Sequence, residues 1–256
     1  MSDVQLAWRQ VRSTNRSFWR NPASAFFTIA FPLMFLVIFT GLFGNDEIRV
    51  FGRVIRLSTY YVSAIAAFSI ITATYTNLAI SVTFQRDGGI LKRTRGTPLP
   101  PWAYLAGRIA HALFLAVVLV VVVAMFGFVF YDAELPTRTL PAFALTVAVG
   151  AISFSALGLA ITAAVPNADA APAVINAVIM PLLFLGDVFI PIRNPDAWYV
   201  VVSKLFPVYH FAQAMKEAYF SPTGSGVSWG HLAVVGAWGI AGILLAIRFF
   251  SWEPRR

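Results

Sequence analysis

Hydrophobic residues in this chain fall in long, nearly unbroken runs, without the short-period alternation of a soluble fold. A bilayer-spanning helix needs about 20 consecutive, mostly apolar residues. Six stretches qualify, at residues 25–44, 58–84, 102–131, 140–165, 171–189 and 232–250. The pattern predicts an all-α membrane protein with six transmembrane helices. Ahead of the first span, residues 1–24 are polar and basic. At about 100° per residue, Val4, Trp8, Val11, Phe18 and Trp19 share one stripe, and Arg9, Arg12, Arg16 and Arg20 lie beside it. That separation predicts an amphipathic helix in the membrane surface, with tryptophans at headgroup depth and arginines toward phosphates. It does not read as a signal peptide, because the polar part is long and no small-residue cleavage site follows the apolar run.

Two connections are more than plain linkers. Between spans two and three, residues 86–101 read Arg86, Asp87, Gly88, Gly89, Ile90, Leu91, Lys92, Arg93, Thr94, Arg95, Gly96, then Thr97-Pro98 and Pro100-Pro101. The prolines stop any helix before Trp102 opens the next span. A solvated basic loop and a short docking helix with apolar knobs both fit. Residues 190–231 hold the other: Asp196 after Pro195 opens an apolar run that ends at Pro207, too short to cross a bilayer. Short helices at the outer interface or re-entrant, with Tyr209, Phe211, Tyr219 and Phe220 at headgroup depth, are the expectation.

Composition narrows the class. Of 256 residues 59% are hydrophobic and 12% charged, against roughly 25% charged in a soluble domain. The chain reads as a single domain over 1–256. No stretch outside the spans approaches the roughly 100–150 residues of an ordinary domain, which excludes a self-contained ATPase or kinase. The net charge of +8 sorts by side. With the amino terminus inside, segments 1–24, 85–108, 166–170 and 248–256 carry twelve basic and four acidic residues, and the outer segments seven of each. The whole excess is inside, as the positive-inside rule requires. This predicts a multi-pass plasma-membrane protein with both termini cytoplasmic, and it leaves nucleic-acid binding without support.

Little in the chain points to chemistry. There is no cysteine, and His111, His210 and His231 lack ligand spacing, so no metal site is expected. Gly88-Gly89 lacks the lysine and the strand–helix context of a nucleotide loop. Arg108 and His111 sit in the first turns of span three, where the arginine is expected to snorkel to headgroups. Asp187, at the outer end of span five, is expected to pair with a loop cation or reach water. The mid-span regions hold no carboxylate, which weakens a proton-coupled carrier. No convergent catalytic groups support a membrane lipid-processing enzyme. Pro32 and Pro181 can kink spans one and five. Gly150, Ala151, Ser153, Ser155, Ala156, Gly158 and Ala160 allow close helix approach along span four.

Taken together, the chain resembles a permease subunit of the ABC-2 type, the family of daunorubicin-type drug exporters. The resemblance lies in Arg86-Asp87, Gly88-Gly89, Ile90-Leu91, Lys92-Arg93, Arg95 and Thr97-Pro98-Leu99. It continues through Gly158, Asp169, Asn176, Pro181, Gly186-Asp187 and Leu205-Phe206-Pro207. It implies a transport subunit that is not itself an enzyme, paired with a second copy or a paralogue and driven by separate ATP-binding subunits that carry ATP and Mg. This chain would bind no cofactor. Residues 86–101 would be the coupling helix, with Ile90 and Leu91 entering a groove of the ATPase and Arg86, Asp87, Lys92, Arg93 and Arg95 fixing register. Asn167 and Asp169 would form a second, smaller contact. Residues 1–24 would be the family's interfacial connector, and 195–220 its extracellular gate. Members often place a glutamate near Lys92; here the only acid is Asp87, a pattern suited to one particular ATPase. The implied activity is outward movement of a hydrophobic or amphipathic small molecule by alternating access, with lipid-linked polysaccharide as the nearest alternative cargo. Phe31, Phe35, Tyr75, Asn176 and Pro181 are the candidate path residues.

Overall fold

The computed structural model describes residues 3–96, 100–192, 194, 196–221 and 224–253, with 3–7, 24 and 101 by backbone alone. The chain begins with α1 (Asp3–Trp19) and α2 (Pro22–Phe43). They are separated at Asn21, whose amide bonds back to Phe18 O and whose carbonyl receives the Ala25 amide. α1 packs along α6 (Pro101–Tyr131) and against the start of α2, leaving Trp8 and Trp19 exposed.

Where a plain loop was expected after α2, the chain forms a β-hairpin, β1 (Glu47–Val50) and β2 (Arg53–Arg56), paired antiparallel with Ile48 opposite Ile55. Its two-residue turn, Phe51-Gly52, has positive φ at both positions (50° and 76°), the primed geometry that matches strand twist. The hairpin is tied to the far end of α6 by Arg53–Glu134 and Arg56–Asp132 ion pairs. Asn45 holds the same end, donating to Tyr131 O and accepting from the Ser58 amide.

Next comes the axis of the molecule. α3 (Leu57–Ile71), a π-helical turn (Thr72–Thr76) and α4 (Asn77–Asp87) form one rod, and all fifteen residues of α3 are buried. An apolar run without a polar face suits that position. A short α5 (Ile90–Arg95) leads to α6, then α7 (Leu140–Ile161), α8 (Ala171–Leu185), α9 (Trp198–Ser203), α10 (Pro207–Phe220) and α11 (Trp229–Phe249).

The small residues of α7 let three neighbours approach. A Cβ on Gly158 would stand 2.8 Å from Tyr75 O in the π turn, and one on Gly150 would meet the Phe211 ring. On α11, Gly239 rests against Ser153 and Gly242 against the Ala156–Leu157 backbone. The expected close packing along span four is therefore realised on both sides of α7.

Among the described residues five helices, Ala25–Phe43, Leu57–Asp87, Trp102–Tyr131, Leu140–Ile161 and Trp229–Phe249, are long and apolar enough to cross a membrane. The run expected as span five is different. α8 stops at Leu185 after 15 residues, about 22 Å at 1.5 Å per residue, short of a hydrocarbon core of about 30 Å. It ends because Gly186 is pressed against Leu182 O and Val208, and Asp187 takes φ 63° to turn its carboxylate inward. α10, expected near the outer interface, is largely buried against α3, α7, α8 and α11.

Candidate functional site

At the end of the bundle away from the hairpin, the last turn of α4 meets the turn between α7 and α8. Just past the end of α7 the chain leaves carbonyls pointing out of the helix, and Arg86 donates to three of them. Its Nη1 donates to Thr162 O (3.0 Å), and Nη2 to Val165 O (3.0 Å) and Pro166 O (3.3 Å). Nε donates to Asp87 Oδ1 at 2.9 Å. Asp87 Oδ2 accepts the Ala168 amide at 2.5 Å. Within the turn, Asn167 Oδ1 accepts the Ala170 amide at the start of α8. Two adjacent residues thus clamp the 86–96 loop to the 162–170 turn, and Arg86 is 2% exposed.

Beyond the clamp, the left-handed Gly89 (φ 68°) folds α5 back. Leu91 is fully buried with Leu78, Val82, Tyr104 and Leu159, whereas Ile90 is 47% exposed. Lys92, Arg93 and Arg95 are exposed beside it, and Gly88 is exposed in the turn. Asn167 and Asp169 are exposed on the adjacent turn. Two of the sequence expectations change here. Leu91 anchors the loop internally and is not a knob for a partner, and Arg86 uses its donors within the chain. What remains outward is Ile90 flanked by three basic side chains. Thr97 and Pro98 lie outside the described residues.

The path residues are not brought together. Phe31 and Phe35 belong to an aromatic cluster on α2, where Phe35 stacks on Phe189 at 5.1 Å. Tyr75 lines an apolar cavity of about 460 Å³ with Phe154, Leu182 and Trp238. Asn176 is half-buried on α8 and Pro181 is exposed.

A charged cluster at the hairpin end was only half visible in the sequence. Asp187 Oδ1 accepts from Tyr60 OH (2.6 Å) and the Ile192 amide (2.8 Å), and Oδ2 from Gln213 (2.7 Å) and Lys216 (2.6 Å). Lys216 also donates to Asp187 O and Tyr60 OH. Its burial, at 1% exposure, pushes the ammonium pKa down while Asp187 pulls it back up. The carboxylate does find a cation, but on a buried helix face and not on a loop. The available signal was Gln213 and Lys216, polar positions in the largely apolar stretch from Pro207 to Phe220. His210 and His231 also meet, Nδ1 to Nδ1 at 2.7 Å, one ring donating and the other accepting. Among the described residues no third ligand joins them. Burial raises the pKa of Tyr209 and Tyr219, with Asp187 and Glu134 adding to it respectively.

A multi-pass helical membrane protein with a clamped basic platform at one end is the class that this fold and site define. The family model for the ABC-2 type transporter matches residues 4–220, and the chain belongs to that family. Among its relatives are proteins that carry transport-permease names. One is ycf38 of Porphyra purpurea, 24% identical, with 89% of this chain and 84% of ycf38 covered. Another is YvfS of Bacillus subtilis, 22% identical, with 89% of each covered. YbhR of Escherichia coli, named as a multidrug ABC transporter permease, is 23% identical over 60% of this chain and 42% of its own length.

Proposed function

We propose that this chain is the membrane half of an ATP-driven exporter, docking a separate ATP-binding subunit through the outward face of α5 and the 166–170 turn. The carrying observation is the clamp: Arg86 and Asp87 join the two segments, so a push on one is delivered to α4, α7 and α8 together. Ile90 supplies the apolar contact, while Lys92, Arg93 and Arg95 give an electropositive rim that steers an acidic partner surface. ATP and Mg act on the partner, and the permease pairs with a second copy or a paralogue. Both termini face the cytoplasm, which puts the platform on the side where ATP is available. The cargo is a hydrophobic or amphipathic small molecule moved outward, a reading supported by the name of YbhR and by an apolar cavity beside Tyr75.

The test is co-purification of the full chain with its ATP-binding subunit, repeated with Ile90→Asp and Leu91→Asp. Ile90→Asp should release the ATPase from a permease that remains folded, whereas Leu91→Asp should disrupt the loop itself. An Ile90→Asp chain that retains the ATPase at wild-type strength, or transport that proceeds without ATP, overturns the reading.

A further inference from the structure

Between α1, the start of α2, α4 and the first third of α6 lies a cavity of about 500 Å³. Arg108 is at its back, 7% exposed. The side chain does not snorkel to solvent, as its position near a helix end suggested. Its guanidinium is held by neutral groups alone: Nη2 donates to Ser81 Oγ, and the Gln85 amide, oriented with its oxygen inward, accepts from Nη1 at 3.0 Å and Nη2 at 2.8 Å. No carboxylate pairs with it among the described residues, and its Nε has no partner. One turn further on, His111 Nδ1 is likewise buried without a partner in the same cavity. A full charge inside an apolar bundle is costly unless something balances it. Two unused nitrogens on one wall indicate where the balancing group would sit.

We propose that this cavity is a binding site for a phosphate oxyanion, supplied by the headgroup of an anionic bilayer phospholipid. The phosphate accepts from Arg108 Nε and His111 Nδ1. Ser81 and Gln85 engage the two terminal nitrogens of the guanidinium, which leaves Nε for the ligand. The choice of a lipid over a free phosphate comes from the rest of the lining. Phe18, Phe84 and Leu115 give the cavity an apolar side, its volume exceeds what a phosphate alone needs, and exposed Ser17 and Phe84 line it on α1 and α4. Beside it, the end of α1 exposes Arg16 and Trp19, and Arg20 follows, exposed, in the turn, residue types suited to headgroup depth. The site belongs to this chain alone and holds whether or not an ATPase docks on α5.

The experiment is native mass spectrometry of the full-length chain, delipidated in detergent and titrated separately with phosphatidylglycerol, phosphatidylcholine and inorganic phosphate. The wild type should take up one phosphatidylglycerol at low occupancy of the other two. Arg108→Gln should weaken that adduct at least tenfold, with Arg108→Lys losing less. Ser17→Trp, an exposed position whose bulk closes the cavity from the α1 side, should weaken it while leaving Arg108 in place, so the test survives if Arg108→Gln fails to fold. Equal uptake of inorganic phosphate, lost in the same variants, supports the oxyanion site and transfers its source to a free anion. Phosphatidylglycerol binding unchanged in correctly folded Arg108→Gln or Ser17→Trp overturns the proposal, as does a wild type that binds phosphatidylcholine equally well.

Discussion

Replacing Arg86 with glutamine tests the clamp directly. The guanidinium makes two carbonyl contacts at 3.0 Å, one at 3.3 Å and an ion pair at 2.9 Å. The longest is beyond good hydrogen-bond geometry and counts for little. A hydrogen bond to a charged group contributes about 1.5–3 kcal/mol, and breaking a buried pair costs about 3–5 kcal/mol. Polar contacts inside membrane bundles measure lower, on the order of 0.6–2 kcal/mol. Two good bonds plus a part-exposed ion pair then come to about 3 kcal/mol, roughly a 150-fold change in an equilibrium. The change should be local, because the carbonyls belong to the 162–166 segment and Asp87 holds only Ala168. Hydrogen exchange followed by mass spectrometry reads it. Amides of 163–170 and 88–95 should exchange about a hundredfold faster in Arg86→Gln, with α3 unchanged. A folded variant with undisturbed protection in both segments refutes the clamp, and equal acceleration throughout the chain shows that Arg86 supports the whole fold instead.

Asp187→Asn leaves the Lys216 ammonium buried without its counter-charge and should cost about 3–5 kcal/mol; the thermal midpoint in detergent should fall, and adding Lys216→Met should recover most of the loss. A melting curve for Asp187→Asn that overlays the wild type contradicts the pairing. Gly158→Ala pushes a Cβ to 2.8 Å from Tyr75 O and should destabilise by about 1–3 kcal/mol, whereas Gly41→Ala, with nothing within 4 Å, should be near neutral in the same assay. Burial, with Glu134 adding to it, raises the folded-state pKa of Tyr219 above the ordinary tyrosine value of 10.0. Its contribution is therefore complete below about pH 10 and is lost as pH rises toward the higher folded value, because the unfolded chain releases the proton first. The phenolate absorbance lost on going from wild type to Tyr219→Phe should develop above the ordinary tyrosine range, and the substitution should flatten that alkaline loss of stability.

Apolar run length carried most of the fold. Five of the six runs appear among the described residues as long helices with ends within a few residues, because an unbroken apolar stretch of that length favours helix even across Pro32 in α2 and the π turn at Thr72–Thr76. The remaining run, 171–189, exceeded its helix because a composition window cannot see that Gly186 and Asp187 turn the chain toward Tyr60 and Lys216. The hairpin was missed for a related reason: four-residue strands with Phe51-Gly52 between them are too short to stand out beside long spans. At the candidate site, the position of the basic loop was legible but its sidedness was not. Ile90 and Leu91 are equivalent in sequence, and only the left-handed turn at Gly89 decides which one faces inward. Arg86 looked like any loop cation because its partners are backbone carbonyls about 76 to 80 residues away, which leave no side-chain signature.

The π turn at Thr72–Thr76 carries a consequence for how this helix tolerates changes in length. An extra residue in a regular α-helix rotates everything after it by about 100°, which would swing Arg86 off the carbonyls of 162–166 and Leu91 out of its pocket. A π turn absorbs one surplus residue within a single loop of backbone, so the faces above and below keep their phase. The turn has the geometry of an insertion accommodated in place. Deleting one residue from 72–76 should therefore be the indel this rod accepts with least damage, restoring plain α-helix while both ends stay in register, whereas the same deletion in 77–87 should turn the platform away from its partner.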